Sequence, residues 1–468
     1  MRAGRFDNLF ADAAPRPYWL DAHPAPEPRA PVTGDTACDL AIVGGGFTGL
    51  WAALIAKERE PDRDVLVLEA EHVAFGASGR NGGFAEHSLT HGLSNGLARF
   101  SEDELAELER VGAESFAALH AALARHAIDA RYEGTGVLWL ATERYQVEEI
   151  EDEVELIRRF GGDARPLDAA ATRREVDSPL ALGGVWHRDG GGVLDPVALA
   201  YGLRRALLAL GVRICERSPV ARLGSESGRV VLECRGGRVR ARRAVLATSA
   251  YPPLLRSVRR RMLPVYDYVL MTEPLSAERR AAIGWANRQG LTDGGNQFHY
   301  FRLTSDDRIL YGGYDAIYHW RNAVGPRLDQ RHDTFSLLAE HLLETLPQLE
   351  GIRFTHRWGG AIDTCSRFFA FFGTALEGRV SYAVGYTGLG VGATRFGAEV
   401  ALDLADGRDS ALVRLPIVRR QPRMFPPEPL RSAGVALTRH ELARADRNGG
   451  RRSLYLRALD RLGLGFDS

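Results

Sequence analysis

Three glycine-rich stretches are the parts of this 468-residue chain whose residue types and spacing point to chemistry. The first, Gly44-Gly45-Gly46-Phe47-Thr48-Gly49, has the spacing G-x-G-x-x-G. That spacing serves a diphosphate. Gly44 permits a tight turn, Gly46 lets the ligand approach the backbone, and Gly49 lets the next helix pack on the sheet. Backbone N–H groups at the helix start, around Phe47 and Thr48, then favour an anion. Glu69, followed by Ala70, comes about twenty residues later, where an acid binds ribose hydroxyls and repels a 2′-phosphate. The second stretch, Gly76-Ala77-Ser78-Gly79-Arg80-Asn81-Gly82-Gly83, lets a chain run close along an extended ligand. The third, Gly385 to Thr394, turns a strand into a helix and aims N–H groups at another electron-rich group.

No second G-x-G-x-x-G follows a strand, so no separate nicotinamide domain is expected. Together with the second loop and the third turn, this favours FAD reduced by an organic substrate. The N1 and C2 carbonyl of a reduced flavin would suit the turn at 385–394. A non-catalytic FAD-binding protein is a minor alternative, because it would have no use for that turn.

The elements that must position these loops follow from the hydrophobic pattern. A strand at 39–43, a helix at 47–59 and a strand at 65–68 make a βαβ unit. Helical periodicity returns at 102–127 and 144–160. Asp195-Pro196 starts a helix through Leu210 as N-cap and first-turn proline. Strands fill 212–247, and 264–272 and 297–313 alternate like antiparallel strands, interrupted by a helix at 329–346. Tyr382–Val384 is another strand, followed by a helix at 393–405. The expected class is α/β, α+β overall. A Rossmann-like FAD-binding domain is assembled from 37–105, 184–255 and 355–415. An antiparallel-sheet substrate domain takes 106–183 and 256–354. Residues 1–36 read as an arm over the surface, with Tyr18 and Trp19 its aromatics. Residues 416–468 read as an Arg- and Pro-rich tail with one short helix near 452–462.

Composition excludes several classes. Sixty basic and sixty acidic residues leave no net charge to attract nucleic acid or an anionic membrane. Lys57 is the sole lysine and falls in a predicted helix, which argues against Schiff-base chemistry. Four scattered cysteines form no C-x-x-C pair, so no metal site is expected. With no apolar leader in 1–30 and no spanning stretch, the expectation is a cytoplasmic protein with no membrane partner. Oligomeric state is not indicated.

The chain resembles FAD-dependent oxidoreductases of the D-amino-acid oxidase type, which include glycine, sarcosine and dimethylglycine oxidases. The branch it most resembles is that of gamma-glutamylputrescine oxidase. The matching pieces run in order along most of the sequence. They are CDLAIVGGGFTGLWAA at 38–53, VLEAEHVAFGASGRNGG at 67–83, GGGVLDPVALAYGLRRALLALGV at 190–212 and AVLATSAY at 244–251. PVYDYVLMTEPL at 264–275, HYFRLTSDDRILYGGYD at 299–315, RWGGAID at 357–363 and YAVGYTGLGVGATRFGAEVALDLA at 382–405 continue the match. The resemblance implies that Ser78, Arg80, Asn81, Gly82 and Gly83 line the diphosphate and flavin. It implies that Val220 holds the adenine, that Thr248 lies near the diphosphate or adenosine, and that Gly360, Gly388, Leu389 and Gly390 face the isoalloxazine, with Thr394 beyond them. Some relatives attach flavin through a cysteine. Here that place reads Trp358-Gly359-Gly360, and Cys365 is taken as structural, so non-covalent FAD is expected.

On the substrate side the resemblance implies that Arg302 pairs a substrate carboxylate, a role suited to a bidentate guanidinium. His299, Tyr300, Tyr266 and Tyr268 are candidates for the same pocket, and His87 and His91 for the flavin face. The expected reaction is oxidation of a primary or secondary amine, or an amino acid, to an imine that water hydrolyses. Positioning supplies much of the catalysis. Some relatives use a lysine beside the flavin to help O₂ react, and this chain has none to offer beyond Lys57. Oxidase and dehydrogenase therefore both stay open, as does a biosynthetic enzyme acting on a larger C–N intermediate with another acceptor. The aromatic run Phe368-Phe369-Ala370-Phe371-Phe372 suggests a bulky or apolar substrate.

Overall fold

A computed structural model describes residues 6–462 and 464. The apolar strand Thr36–Val43 is buried at its end and lies parallel between Val65–Leu68 and Gly237–Leu246. Val380–Val384 extends the parallel order beyond Gly237–Leu246, and Arg213–Cys215 beyond Val65–Leu68. An antiparallel hairpin, Val220–Glu226 with Arg229–Cys234, and the strand Phe371–Ala375 complete eight strands. Strands covered on both faces read as continuous apolar runs, as AIV and VLVL do here. The helix Phe47–Arg59 crosses between the first two strands and buries ten consecutive residues, Phe47 through Ala56. It packs against the helices Pro196–Ala209 and Gly390–Asp406.

A second sheet of nine strands is mostly antiparallel, with Met262–Thr272 paired along its length to Phe354–Cys365. Gly290–Asp293, His299–Leu303 and Ile309–Gly313 continue it, and Val137–Ala141 joins Gly290–Asp293 in parallel. The helix His332–Thr345 covers one face with Phe335, Leu338 and Leu342. The opposite face of the central strands looks toward the nucleotide unit.

Some stretches fall on the other side of the expected boundaries. Gly183–His187 and Phe354–Cys365 belong to the nine-stranded sheet, because their backbone partners lie there. The helix Glu102–Arg125, assigned from sequence mainly to the substrate unit, buries Leu105, Leu108 and Leu119 in the nucleotide core. Its start is fixed by a capping box in which Ser101 accepts from Glu104 N–H. The N-terminal arm is also more than a surface strap. Phe10, Tyr18 and Trp19 are buried, and burying a side chain of Phe size stabilises by about 2 kcal/mol. The tail holds an unexpected 18-residue helix, Leu430–Arg447, before the predicted short one, found at Leu454–Arg461. Among the described residues no helix is long and apolar enough to cross a membrane.

Candidate active site

Between the two sheets lies a cavity of about 920 Å³, a size suited to a cofactor or small molecule. Its nucleotide wall is rich in glycine. Gly46, Phe47 and Thr48 line it at the start of the first helix, whose N-cap has no side-chain cap. A Cβ on Gly49 would lie 1.9 Å from the Gly44 carbonyl oxygen, and one on Gly44 2.3 Å from that of Ala247. Gly44 and Gly49 thus build the turn from behind, outside the lining, and Gly46 presents the surface.

Ser78, Arg80, Asn81, Gly82 and Gly83 line the next part of the wall. Arg80 is braced there by the Phe75 and Gly359 carbonyls, both at 2.9 Å, and by Asp329 at 2.7 Å. The arm supports the same loop, for Trp19 Nε1 donates to the Asn81 carbonyl at 2.9 Å. Gly360, Gly388, Leu389, Gly390 and Thr394 line the cavity as well. Gly388 has φ +95° and nothing within 4 Å of a notional Cβ, so backbone faces open space at a conformation that favours glycine. Asp363, which the sequence reading passed over, holds this turn. Its Oδ2 accepts the Gly385 N–H at 2.7 Å, and burial pushes its carboxyl up to about 6.

Besides Gly44 and Gly49, four expected cofactor contacts lie off the lining. Glu69 receives the Gly45 N–H at 2.6 Å and the Glu71 N–H at 2.9 Å, which ties it to the motif's own turn. Ala70, Val220 and Thr248 are also outside, although Ala247 and Ser249 on either side of Thr248 line the cavity. His91 lines it half-buried, and desolvation lowers its pKa. His87 instead faces Glu109 at 3.3 Å.

The substrate wall departs most from expectation. Arg302 does not line the cavity. It is buried beneath Gly83, donates to the Leu194 carbonyl at 2.6 Å and lies over the Trp19 ring at 5.5 Å. Its guanidinium is spent on bracing the arm and second glycine loop, and it is not placed to meet a substrate carboxylate. Strand parity explains the other tyrosines, since alternate residues point to opposite faces. On Met262–Thr272 the cavity face carries Leu263, Val265, Asp267 and Val269. Tyr268 turns to the other face, donating to the Leu328 carbonyl at 2.8 Å and meeting Phe335. Tyr266 reaches the lining, but its hydroxyl is engaged with Gly325, whose N–H donates to it at 2.9 Å.

Tyr300 does line the cavity, and its hydroxyl donates to Asp267. The other Asp267 oxygen accepts N–H groups of Tyr268 at 2.7 Å and Gly313 at 3.1 Å. Burial raises the Asp267 carboxyl to about 6. His299 lies one layer back, between the rings of Tyr311 and Tyr314, 2.6 Å from Asp293 and 2.9 Å from His341. Asp293, Tyr314 and Asp315 line the cavity. In the aromatic run, Phe369, Phe371 and Phe372 fill the cores, and only Phe368 and its neighbours Ser366 and Cys365 reach the lining. The Cys365 thiol donates to the Phe369 carbonyl at 3.1 Å, and burial raises its pKa.

The profile of the family described as FAD dependent oxidoreductase (DAO) matches residues 39–404. The chain belongs to this family. It is 32% identical over 386 residues to the gamma-glutamylputrescine oxidoreductase of Escherichia coli, covering 81% of this chain and 87% of that protein. A probable oxidoreductase OrdL of Haemophilus influenzae is 28% identical over 404 residues, covering 85% and 89%. Among solved structures, glycine oxidase from Geobacillus kaustophilus superposes with a TM-score of 0.67 at 20% identity, covering 82% of this chain and 99% of that one. Iminodiacetate oxidase from Chelativorans sp. BNC1 gives 0.65 at 18% identity, covering 82% and 98%. These two likenesses show the fold. The two glycine cradles, the uncapped helix start and the open backbone at Gly388 fit FAD, and this DAO-family protein is an FAD-dependent oxidoreductase.

Proposed function

We propose that this DAO-family protein oxidises the C–N bond of a primary or secondary amine to an imine, which water hydrolyses to a carbonyl compound and the released amine or ammonia. The observation that carries this reading is the charge of the substrate wall. Asp267, Asp293 and Asp315 line it, while Arg302 is buried against Leu194 and Trp19. The sheet side of the cavity thereby attracts a cation, while the cavity's Arg431 and Arg439 come from the helix Leu430–Arg447. The named activity of the Escherichia coli relative supports an amine of extended shape.

FAD, held non-covalently, supplies a two-electron acceptor, with O₂ giving H₂O₂ as the proposed final acceptor. The protein's part is to orient the amine and strip it of its proton. Asp267 has both oxygens fixed by Tyr300, Tyr268 and Gly313. A carboxyl titrating at about 6 is ionised at neutral pH and close enough to it to take up and release a proton. Four unpaired cysteines suit a reducing compartment, and the cytoplasm is the proposed location.

Anaerobic mixing of the yellow holoenzyme with putrescine, gamma-glutamylputrescine, sarcosine, glycine and proline tests the reading. Bleaching is expected with the extended amines first. Bleaching by NADH and by no amine would overturn it. Acid precipitation is expected to leave the yellow colour in the supernatant.

A further inference from the structure

Residues after 404 lie outside the matched family region, yet they wall the cavity on its outer side. The helix Leu430–Arg447 turns one stripe inward, with Arg431, Val435, Thr438, Arg439 and Leu442 spaced three or four apart. It is clamped by Asp446, which accepts the Asn296 N–H at 2.9 Å, the Asn296 side-chain amide at 2.6 Å and the Gln297 N–H at 3.1 Å. Thr438 meets the Tyr455 hydroxyl at 2.9 Å and so joins the last helix to it.

Three cavity arginines differ in how they are engaged. Arg80 is held by Asp329 and two carbonyls. Arg431 donates to the Pro426 carbonyl at 3.0 Å and to Asn322 at 2.9 Å. Arg439 makes no hydrogen bond through its guanidinium among the described residues, and its one ion pair, with Asp315, is open at 4.0 Å. The Arg439 side chain is 42% exposed and that of Asp315 13%, which puts the pair at the cavity mouth. Asp315 is oriented by the Thr334 hydroxyl at 2.6 Å.

We propose that Arg439 and Asp315 form a head-group site for an α-amino carboxylate, carried at the far end of a substrate whose other end is the amine to be oxidised. The inference rests on the amine reading above and names the class of amine. Carboxylate and ammonium on one α-carbon present opposite charges a few ångströms apart, as this pair does in mirror sense. A guanidinium can take the carboxylate through two parallel hydrogen bonds. An exposed pair at this separation is worth about 1 kcal/mol or less in water, so a ligand displaces little by entering it. The carboxylate-reading cation is thereby on the tail helix and not on the strand at 302.

N5-butylglutamine carries this head and lacks the amine at the far end, so its calorimetric binding to the holoenzyme under anaerobic conditions tests the site separately from turnover. Saturable binding is expected. Arg439→Gln and Asp315→Asn should each weaken it at least tenfold at unchanged flavin content, with Arg439→Lys restoring part of the loss. Asp446→Ala, which releases the helix without touching the head, should weaken it as well. No binding, or binding that neither Arg439→Gln nor Asp315→Asn changes, would overturn the proposal. If the head binds while gamma-glutamylputrescine fails to bleach the flavin, the amine reading is at fault and the site stands.

Discussion

The two walls of the cavity are built from different material. The nucleotide wall is dominated by glycine backbone at Gly46, Gly82, Gly83, Gly388 and Gly390, and its one arginine, Arg80, is held by the Phe75 carbonyl. The substrate wall presents side chains from Asp267, Asp293, Tyr300, Tyr314 and Asp315, with a tail helix laid across them. Backbone surfaces fix a ligand common to a whole family, whereas side-chain surfaces are free to vary from one enzyme to the next. The comparison therefore predicts that damage to the first wall removes the cofactor, and damage to the second changes what is oxidised while the cofactor stays.

Gly49→Ala should give the largest effect. The added methyl would meet the Gly44 carbonyl oxygen at 1.9 Å, backbone against backbone, with the Ile42 side chain at 3.2 Å. Nothing flexible can yield, so strand, turn and helix must separate at a cost of about 3 kcal/mol. The purified variant is expected to be colourless and to melt well below the parent. A yellow variant with the parent's melting point would break the distinction between the walls.

Asp267→Asn should leave the flavin in place and change catalysis. Its carboxyl and that of Asp363, which holds the Gly385 turn, are both raised to about 6 by burial. Protonation below pH 6 discharges Asp267, so the parent's flavin-reduction rate should fall about tenfold for each pH unit below that point. Asp267→Asn should lower the rate at pH 8 and abolish this acid limb. Flavin release at low pH, expected as Asp363 loses its charge beneath the Gly385 turn, should persist. The sign for stability follows the same shifts. A raised carboxyl binds its proton more tightly when folded, so its favourable contribution is present below about pH 4 and lost as pH rises through 6. A pH–rate profile and a flavin-retention curve on the same preparations separate the two carboxyls. If Asp267→Asn keeps the acid limb, Asp267 is not the group that senses it.

This contrast also explains what the sequence made legible. The nucleotide wall depends on local rules, in which a strand, a tight turn and a helix follow one another within about thirty residues, so glycine spacing suffices to read it. The substrate wall assembles residues as far as 150 positions apart, as in the contact between Asn296 and Asp446, and no local spacing announces such a contact. Two local signals were nevertheless present. Parity along 263–269 puts Asp267 on the face opposite Tyr266 and Tyr268, and a three-four spacing marks one face of 431–442. The second signal is masked by Pro426, Pro427 and Pro429 before it and by Gly434 within it, which lower helix propensity. Arg302 misled because a resemblance supplies a residue's place on a strand but not what packs beneath it. The buried Trp19 comes from an arm whose docking no alternation pattern reveals.

Lys57 provides the smallest expected effect. Its ammonium donates to the carbonyls of Pro61 and, at 3.1 Å, of Arg63, at the far end of the helix that starts at Phe47. Cations favour a helix C-terminus, and arginine serves there as well as lysine. It does not line the cavity. As the sole lysine in the sequence, it is also the only one that could assist oxygen as lysine does in some relatives. Lys57→Arg should therefore leave both the bleaching rate by an amine and the rate of re-oxidation by air within twofold of the parent, and the unfolding free energy within about 0.5 kcal/mol. A tenfold slower re-oxidation with unchanged bleaching would mean that a charge remote from both walls reaches the flavin. In that case the division of labour between the walls would no longer account for how the electrons leave.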